Sequence, residues 1–394
     1  MQVAPLLSAS LCAGRDPVAH GLLDGTGYGR GSRMRYLHVL ESFARGGVET
    51  TFLHMLRVFR GVPPPEAGAD VHDVVAFAAG PLHRDFANAA NRVIVSNLPI
   101  DHAALLANDY DVVHVLVERC AHRLAPMVFA GSDAAFVYGK NYDTPTMLRM
   151  QGLFDATADE SILSAADAVM FTTLDLAAGY RLPPGRTTIL RKAAAIEPAL
   201  AVPVLTPDLP LRALAIASLH PRKRLADLIP IMQMVRGRVP QAELRIVGAG
   251  SPAQVSELRD RIEDAGLSGA ITLLGQLNDV EQELAHCRVF VLPSVAEGVP
   301  TVLLEAMAAA RPIVSARVGH IGHILTDGCE GFLTTPGDLG GFATRVATLL
   351  EHHDLAARMG AAGRARAATH DVRAVATDLL RVLRRAAAAR RRTA

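Results

Sequence analysis

Residues 289–307 read VFVLPSVAEGVPTVLLEAM and combine a strand, a polar loop and a helix start. The apolar run 289–292 predicts a strand that is covered on both faces and that ends at Pro293. Pro300 stands where a helix is expected to begin, which is a favourable position for proline. Glu297 lies in the loop, and Glu305 lies about one turn into the helix with its side chain leaning back toward the helix start. We therefore expect both carboxylates to face one pocket.

The start of this helix has the chemistry of an anion-binding site. Its first backbone N–H groups lack partners within the helix, and its dipole places positive charge at the same end, which suits a diphosphate. The two glutamates would then accept hydrogen bonds from sugar and ribose hydroxyls. Taken singly, each is explained as well by a capping role or by a place on the helix face. Their combination in one string favours a binding site.

From residue 35 onward the chain alternates short apolar strands with amphipathic helices, which predicts α/β domains built on parallel sheets. Expected strands occupy 36–40, 71–77, 112–117, 134–138, 168–172 and 187–190, then 214–218, 244–247, 271–274, 289–292 and 313–315. Expected helices occupy 48–59, 160–166, 225–235, 253–265, 280–286, 301–310, 339–352, 355–366 and 372 to about 388.

A proline-rich stretch separates the two series of strands. Four prolines within residues 197–210 cannot continue a helix or a central strand, so we interpret this stretch as an interdomain linker. We predict two Rossmann-like, doubly wound domains at residues 34–200 and 201–370, with a cleft between the carboxyl ends of their strands. Residues 1–33, which are glycine-rich over 24–32, are expected to be a disordered or non-native extension before Met34.

Composition restricts the classes of function. The chain has 394 residues, with 40 Lys and Arg against 39 Asp and Glu and a formal charge of +1, which disfavours nucleic acid as a partner. No uncharged apolar run reaches about 18 residues, so we expect no integral membrane contact. The four cysteines, Cys12, Cys120, Cys287 and Cys329, lack metal-binding spacing. They are expected to be buried free thiols of a cytoplasmic protein.

The string at 289–307 closely resembles the E-x7-E signature of glycosyltransferase family 4, a retaining family with the GT-B fold. The resemblance covers about residues 34–370 and is strongest over 211–365. It implies that Lys223, in LHPRKR at 219–224, binds the donor diphosphate, and Lys223 is one of only three lysines in the chain. The expected donor-binding residues are Gly46, Gly47, Arg222, Lys223, Gly248, Glu297, Gly298, Val299, Thr301, Val302 and Glu305.

The chain departs from the family pattern at three places. Ser218 stands where the family often has a diphosphate-binding arginine, so Arg222 or Arg224 is expected to replace it. His323 occupies a position that is usually glutamate, which puts the role of that position in doubt. Ala310 and Arg311 replace the family's glycine before the proline of the following strand.

Acceptor residues are expected at the carboxyl ends of first-domain strands. The segment 111–114, Asp-Val-Val-His, resembles the family's Asp-x-x-His, which implies that His114 lies where the donor sugar and the acceptor meet. A core histidine is the alternative. In YGKNYD at 138–143 we expect Lys140 and Asp143 to recognise the acceptor, with a folded polar loop as the alternative. In this fold a terminal helix at 371–394 crosses back to the first domain or ends in solvent, and the sequence leaves both open.

The resemblance implies transfer of a sugar from a nucleotide diphosphate sugar with retention at the anomeric carbon. Glu297, Lys223 and His114 are the expected catalytic residues, and we expect neither a metal nor a cofactor. The expected donor is a UDP-sugar. The expected acceptor is a small soluble molecule such as an aminocyclitol or another antibiotic precursor, facing carboxylates such as Glu41, Glu49, Glu118 and Asp143.

Other functions stay open at this point. One alternative is a glycosyltransferase that acts on the cell envelope or on a polysaccharide. Another is a sugar-nucleotide epimerase of the same fold. A third is a catalytically inactive partner protein that retains the fold.

Overall fold

Two parallel β-sheets organise the computed structural model, which describes residues 33–44, 46–61, 70–96, 110–116, 133–141, 156–183, 185–277 and 279–393. The first sheet contains β1 (Arg35–Leu40), β2 (Val71–Ala76), β3 (Arg92–Val95), β4 (Val112–Val115), β5 (Ala135–Lys140), β6 (Ala168–Phe171) and β7 (Thr187–Ile189). The second contains β8 (Arg212–Ile216), β9 (Glu243–Val247), β10 (Ile271–Gly275), β11 (Val289–Leu292), β12 (Ile313–Ala316) and β13 (Gly331–Thr334). The strand orders are β3-β2-β1-β4-β5-β6-β7 and β10-β9-β8-β11-β12-β13.

Helices connect the strands of both sheets. Those of the first half are α1 (Gly47–Gly61), α2 (His83–Ala89), α3 (Ala156–Ala165) and α4 (Leu174–Ala178). Those that follow are α5 (Glu197–Leu200), α6 (Leu228–Arg238), α7 (Pro252–Asp264), α8 (Glu281–Ala285), α9 (Thr301–Ala308), α10 (Ile321–Ile324), α11 (Leu339–Glu351), α12 (His353–Ala367) and α13 (Val372–Thr393). The prediction of two doubly wound α/β units is confirmed.

The structure differs from the predicted elements at a few places. Strands β3 and β13 are not predicted, because each is a four-residue edge strand that is too short to show a pattern. The helix expected from residue 225 begins only at Leu228, after two short 3-10 turns. Arg224 separates those turns with a left-handed φ of 52°. Residues 1–32 lie outside the described residues, so the expected N-terminal extension stays a prediction.

The proline-rich stretch 197–210 is not a free linker, and this corrects its interpretation. Ala199 and Val202 are buried in the core of the second sheet. Three arginines hold the backbone of the stretch: Arg364 donates to the carbonyl of Val202 at 2.6 Å, Arg311 to that of Pro203 at 2.8 Å, and Arg288 to those of Pro207 and Leu209 at 2.8 and 2.7 Å. These residues belong to the second structural unit, and the chain crosses between the units before Glu197.

The crossing consists of two chain segments that hydrogen-bond to each other. Ala194 donates its N–H to the carbonyl of His370, and Val372 donates to the carbonyl of Ala194, both at 3.0 Å. The His370 ring nitrogen Nδ1 lies 2.7 Å from the carbonyl of Lys192. This pair of segments, rather than residues 197–210, therefore connects the two units.

The last helix, α13, packs against the first sheet. Its residues Val375, Leu379 and Leu383 share a hydrophobic core with Phe52 and Leu56 of α1. Arg384 pairs with Asp70 at 2.7 Å, and Arg391 pairs with Asp111. Of the two outcomes left open by the sequence, the structure therefore shows the return to the first domain.

Two expectations from composition can be compared with the structure. Cys287 is a buried free thiol, as expected, but Cys329 is disulfide-bonded, so the prediction of free thiols is wrong for Cys329. Cys12 and Cys120 lie outside the described residues. Among the helices of the described ranges, none combines the length and apolar character needed to cross a membrane.

Ala310 follows the end of α9 with a left-handed φ of 56°. A left-handed conformation costs an alanine about 1 kcal/mol or more, and glycine avoids this cost. We expect Ala310→Gly to raise the free energy of unfolding by about 0.5 kcal/mol, because the greater freedom of glycine in the unfolded chain offsets part of the gain. Urea denaturation measures this change in the free energy of unfolding. Ala309→Gly, at an ordinary φ of −72°, should destabilise the protein, and equal losses in both variants would contradict the argument.

Candidate functional site

The strand order reverses at one point in each sheet, between β1 and β4 and between β8 and β11. In open parallel sheets, ligands bind at the carboxyl ends of the strands beside such a point. The loop after β1 contains Gly46, and β4 contains His114. The loops after β8 and β11 contain Lys223 and Glu297. The topology therefore gathers residues from four distant parts of the sequence at two neighbouring sheet edges.

Lys223, Glu297 and Arg222 form one charged cluster at the second of these points. The Lys223 Nζ atom lies 2.5 Å from Oε1 of Glu297, and Arg222 Nη1 lies 3.3 Å from Oε2. Lys223 and Glu297 are buried, and burial lowers the pKa of Lys223 while the Glu297 carboxylate opposes this shift. Arg222, one of the two expected replacements for the missing arginine at Ser218, is the more exposed member of the cluster. Arg224, the other, pairs with Asp227 at 2.8 Å.

Backbone contacts fix the two loops that carry this cluster. The Val295 N–H donates to the carbonyl of Arg222 at 2.9 Å, which joins the loops directly. Gly319 lies so close that a Cβ atom there would be 1.6 Å from the carbonyl oxygen of Glu297. Its φ of 52° is left-handed as well, so only glycine fits this position. This contact with Glu297 appears only in the structure, because 22 positions separate the two residues in the sequence.

The N-termini of α1 and α9 approach each other across the cleft. α9 begins at Thr301, after buried Gly298 and partly buried Val299, and its second residue is Val302. A Cβ atom at Gly47, the first residue of α1, would lie 3.3 Å from Oγ1 of Thr301. Gly46 precedes it, and its N–H donates to the carbonyl of Ala44. Both helices direct unpaired N–H groups and positive dipole ends to the same place, which suits an anionic group.

Glu305 lies in α9, one turn after Thr301, and is partly buried. Burial raises its pKa to about 7, and the neighbouring carboxylate of Glu281 adds to the increase. Keeping a carboxylate in such a place costs free energy, which is typical of a group retained for binding.

Gly248 follows β9 with a φ of 153°, and a Cβ atom there would be 1.8 Å from the carbonyl oxygen of Ala217. Gly248 therefore allows the loops after β8 and β9 to pack closely.

A pocket opens at the carboxyl ends of β4, β5 and β6, with an empty volume of about 570 Å³ that is partly open to solvent. Its wall is mainly apolar and includes Phe52 and Met170, together with His114, Asn141 and Thr172. The Oγ1 atom of Thr172 is buried with no hydrogen-bond partner among the described residues. A ligand with both apolar and hydroxyl groups would match this wall. The structure thus places His114 in the wall of a pocket, and its place between donor sugar and acceptor stays a prediction.

Lys140 does not reach this pocket, which corrects the prediction that it binds the acceptor. Side chains alternate along a strand, and Gly139 and Asn141 face the pocket, so Lys140 points to the other side. It is fully buried, and its Nζ atom lies 2.8 Å from Oδ2 of Asp159. Asp143, the other predicted acceptor residue, lies outside the described residues.

The sequence missed two cationic residues of the pocket wall, Arg191 and Lys192. Lys192 is among the three lysines of the chain, which was the only signal available for it. Its charge lowers the pKa of Glu49, whereas burial and Glu41 raise that pKa, with burial the largest effect. Glu118, another carboxylate expected to face the acceptor, lies outside the described residues.

His320, just before α10, and His323, within α10, belong to the second unit and contact the first unit. The His320 ring nitrogen Nδ1 lies 3.4 Å from Oγ1 of Thr173, and His323 Nε2 lies 3.2 Å from Oδ2 of Asp175. His323 is exposed, at the position where the family usually has glutamate. In this structure its contact is with the opposite domain.

Solved structures establish the fold. A structure of Alr3699/HepE from Anabaena, in complex with UDP and glucose, matches with a TM-score of 0.73 and 20% sequence identity, over 89% of this chain and 99% of that chain. The chain has the GT-B fold. At this level of identity the likeness shows architecture alone.

Sequence comparisons concern mainly the second domain. Residues 210–352 match the family model described as Glycosyl transferases group 1. A sulfoquinovosyl transferase, SQD2 of Arabidopsis thaliana, is 30% identical over 156 residues, which is 38% of this chain and 29% of that protein. A phosphatidyl-myo-inositol mannosyltransferase of Mycobacterium leprae is 31% identical over 166 residues, which is 41% of this chain and 43% of that protein. The matches thus span less than half the length of these relatives.

Proposed function

We propose that this protein is a retaining glycosyltransferase that transfers a sugar from a nucleotide diphosphate sugar, with a UDP-sugar as the favoured donor. The observation that carries the proposal is the cluster of Lys223, Glu297 and Arg222 beside the N-terminus of α9, facing Gly47 across the cleft. The match of residues 210–352 to the glycosyltransferase model supports it. Bound UDP in a structural neighbour supports the choice of donor.

Each residue of the cluster has a role in this proposal. Lys223, Arg222 and the first N–H groups of α9 neutralise the charge that develops on the departing diphosphate. Glu297 holds Lys223 in the free protein and accepts hydrogen bonds from the donor sugar when donor binds. Glu305 accepts hydrogen bonds from the ribose hydroxyls. The acceptor oxygen forms its bond to the anomeric carbon on the face from which the phosphate oxygen departs, and the acceptor proton passes to that oxygen. No protein nucleophile is required.

The acceptor in this proposal is a small soluble molecule bound in the pocket beside His114. The apolar wall and the unpaired Thr172 hydroxyl suit a compact molecule with several hydroxyl groups. Antibiotic precursors remain among the proposed acceptors. However, Arg191 and Lys192 line the pocket, and their charges favour a neutral or anionic acceptor over a cationic aminocyclitol.

Acceptor-dependent release of nucleotide tests this function. A thermal-shift series with UDP, GDP, ADP and dTDP first identifies the base, and we expect UDP to give the largest stabilisation. The UDP-sugar is then incubated with neutral, anionic and cationic polyols, and the anomeric configuration of the product is read by NMR. Inversion would contradict the retaining mechanism. Conversion of the donor without acceptor would indicate an epimerase, and nucleotide binding without turnover would indicate an inactive partner.

Turnover should not depend on a divalent metal, because Lys223 and the helix N-terminus supply the positive charge at the diphosphate. We expect incubation with EDTA, followed by assay in metal-free buffer, to leave at least about half of the activity. The control is re-addition of Mg²⁺ or Mn²⁺ to the treated enzyme. Loss of activity that either ion restores would contradict the proposal.

A further inference from the structure

Three histidines form a continuous chain of ring contacts inside the first domain. The Nδ1 atoms of His38 and His114 are 3.1 Å apart, and His38 Nε2 lies 3.0 Å from Nδ1 of His72. The residues come from β1, β4 and β2, which are neighbours in the sheet. The chain begins at His114 in the pocket wall and ends at His72, near the ion pair of Asp70 with Arg384.

All three rings are neutral at physiological pH. Burial lowers the pKa of His114 to about 3 and that of His72 to about 4. Burial also lowers the pKa of His38 well below its ordinary value, and the neighbouring imidazoles add to the effect. The aromatic rings of Phe52 and Phe59 enclose His38, at centroid distances of 4.7 and 6.3 Å.

Neutrality couples the tautomers of the three rings. A neutral imidazole has one N–H donor and one bare nitrogen, and each of the two contacts needs a single donor. Because His38 uses both nitrogens, it donates to one neighbour and accepts from the other. Two arrangements of the ring protons give each of the two contacts one donor and one acceptor. In the first, every N–H points from His114 toward His72, and Nε2 of His114 is bare. In the second, every N–H points the other way, and Nε2 of His114 carries the proton.

The charges around His72 favour the first arrangement. Asp70 raises the pKa of His72 more than Arg384 lowers it, so the nearby carboxylate has the larger effect on this ring. A carboxylate attracts N–H groups that point toward it. Tyr36 stacks on His72 at 4.8 Å, and its hydroxyl group lies 3.4 Å from Oδ2 of Asp70.

We propose that His38 and His72 are positioning residues that hold His114 with a proton on Nδ1, so that it presents a bare Nε2 acceptor to a ligand hydroxyl in the pocket. This inference rests on the proposed function for the identity of that ligand. The contacts among the three histidines do not depend on that function. The reacting proton still leaves through the phosphate oxygen, and His114 orients the ligand through a different hydroxyl.

NMR of the whole protein with ¹⁵N-labelled histidine identifies the tautomers of the three histidines without any substrate. Correlations between ring nitrogens and carbon-bound protons distinguish bare from protonated nitrogens. We expect a proton on Nδ1 of His114 and on Nε2 of both His38 and His72 at pH 7. A proton on Nε2 of His114 would overturn the proposal.

Two substitutions of His38 extend the test to activity. In His38→Phe, His114 loses its partner, and we expect a change of its tautomer and a roughly tenfold fall in kcat/KM for the acceptor, with the donor KM unchanged. In His38→Asn, the amide oxygen can still accept from Nδ1 of His114, so the tautomer and most of the activity should persist. His54→Phe on α1 is the control for loss of an imidazole, and its activity should stay unchanged.

The outcomes separate this inference from the proposed function. If His38→Phe leaves the tautomer of His114 unchanged, the inference fails even when the protein is an active transferase. Equal losses in the Phe and Asn variants would also overturn it, since they would indicate a structural role. If the tautomers are as expected but no acceptor supports turnover, the inference about the chain holds and the proposed function fails. If His38→Phe does not fold, the NMR measurement of the tautomers in the unsubstituted protein still tests the proposal.

Discussion

Replacing Lys223 by Met should lower turnover at least about a hundredfold, because it removes a cation that neutralises the departing diphosphate. The free energy of unfolding should also fall, since Lys223 and Glu297 form a buried ion pair. Removing one partner leaves the other charge buried and only partly compensated, at a cost of about 3 kcal/mol. Glu297→Gln should have the same two effects. In Lys223→Met the remaining Glu297 carboxylate keeps its pairing with Arg222, whereas in Glu297→Gln the remaining Lys223 ammonium faces the like charge of Arg222.

The double variant Lys223→Met/Glu297→Gln separates the structural role from the functional one. With both charges removed, the free energy of unfolding should return most of the way to that of the unsubstituted protein, while turnover stays low. Urea denaturation and acceptor-dependent nucleotide release measure the two quantities. If the double variant regained activity together with stability, the cluster would be structural only, and the proposed site would be wrong.

A matched control is the fully buried ion pair of Lys140 with Asp159 in the first domain. Asp159 also accepts a hydrogen bond from the Tyr138 hydroxyl at 3.0 Å. Lys140→Met should destabilise the protein by a similar amount. Its affinity for UDP should be unchanged, because this pair lies in the first domain and shares no residue with the Lys223 cluster, where the diphosphate is proposed to bind. A loss of UDP affinity in this control would show that destabilisation alone accounts for the effects at Lys223.

Replacing Glu305 by Gln should stabilise the free protein and weaken nucleotide binding at once. Its pKa of about 7 in the folded protein lies above the ordinary 4.5, so the folded state binds more protons than the unfolded state between these values. Stability conferred by this residue therefore falls as pH rises from about 4.5 to about 7. Above pH 7 the cost reaches up to about 3 kcal/mol, which glutamine removes. The increase in the free energy of unfolding of Glu305→Gln should be largest at pH 8 and absent at pH 4.

Nucleotide affinity should change in the opposite sense. A carboxylate accepts from two ribose hydroxyls, whereas glutamine offers one oxygen without charge, so we expect a loss of UDP affinity of about ten- to a hundredfold at pH 8. In the unsubstituted protein, affinity should fall as pH decreases below 7, because Glu305 becomes protonated. Calorimetry in buffers of different ionisation enthalpy should detect proton release on UDP binding at pH 7.

Glu281→Gln provides the control for this prediction. It removes the like charge that helps raise the pKa of Glu305, but it keeps the Glu305 carboxylate. UDP binding should then persist to slightly lower pH, with the affinity at pH 8 unchanged. A pH-independent affinity in the unsubstituted protein, or an unaltered affinity in Glu305→Gln, would show that Glu305 does not contact the ribose.

The sequence predicted those parts of the site that lie in one local segment. Residues 289–307 specify a buried strand, a loop and a helix start, and the structure has β11, the loop with Glu297 and α9 in these places. Local periodicity and proline positions are sufficient for this, since they act through neighbouring residues. The sequence also predicted most strands of both sheets, because buried parallel strands are short continuous apolar runs. It missed β3 and β13, whose short edge segments lack that signal.

Only the tertiary structure decided the contacts between segments that are distant in sequence. Lys223 and Glu297 are 74 positions apart, and nothing local indicates that their charges pair. The pairing follows from the strand order, which sets β8 beside β11. The same holds for the histidine chain, since His38, His72 and His114 meet only because β2, β1 and β4 are adjacent. Strand alternation turned Lys140 away from the pocket, and three arginine side chains attached residues 197–210 to the second domain. Local propensities therefore determined the elements, whereas burial and pairing of charges depend on which elements pack together.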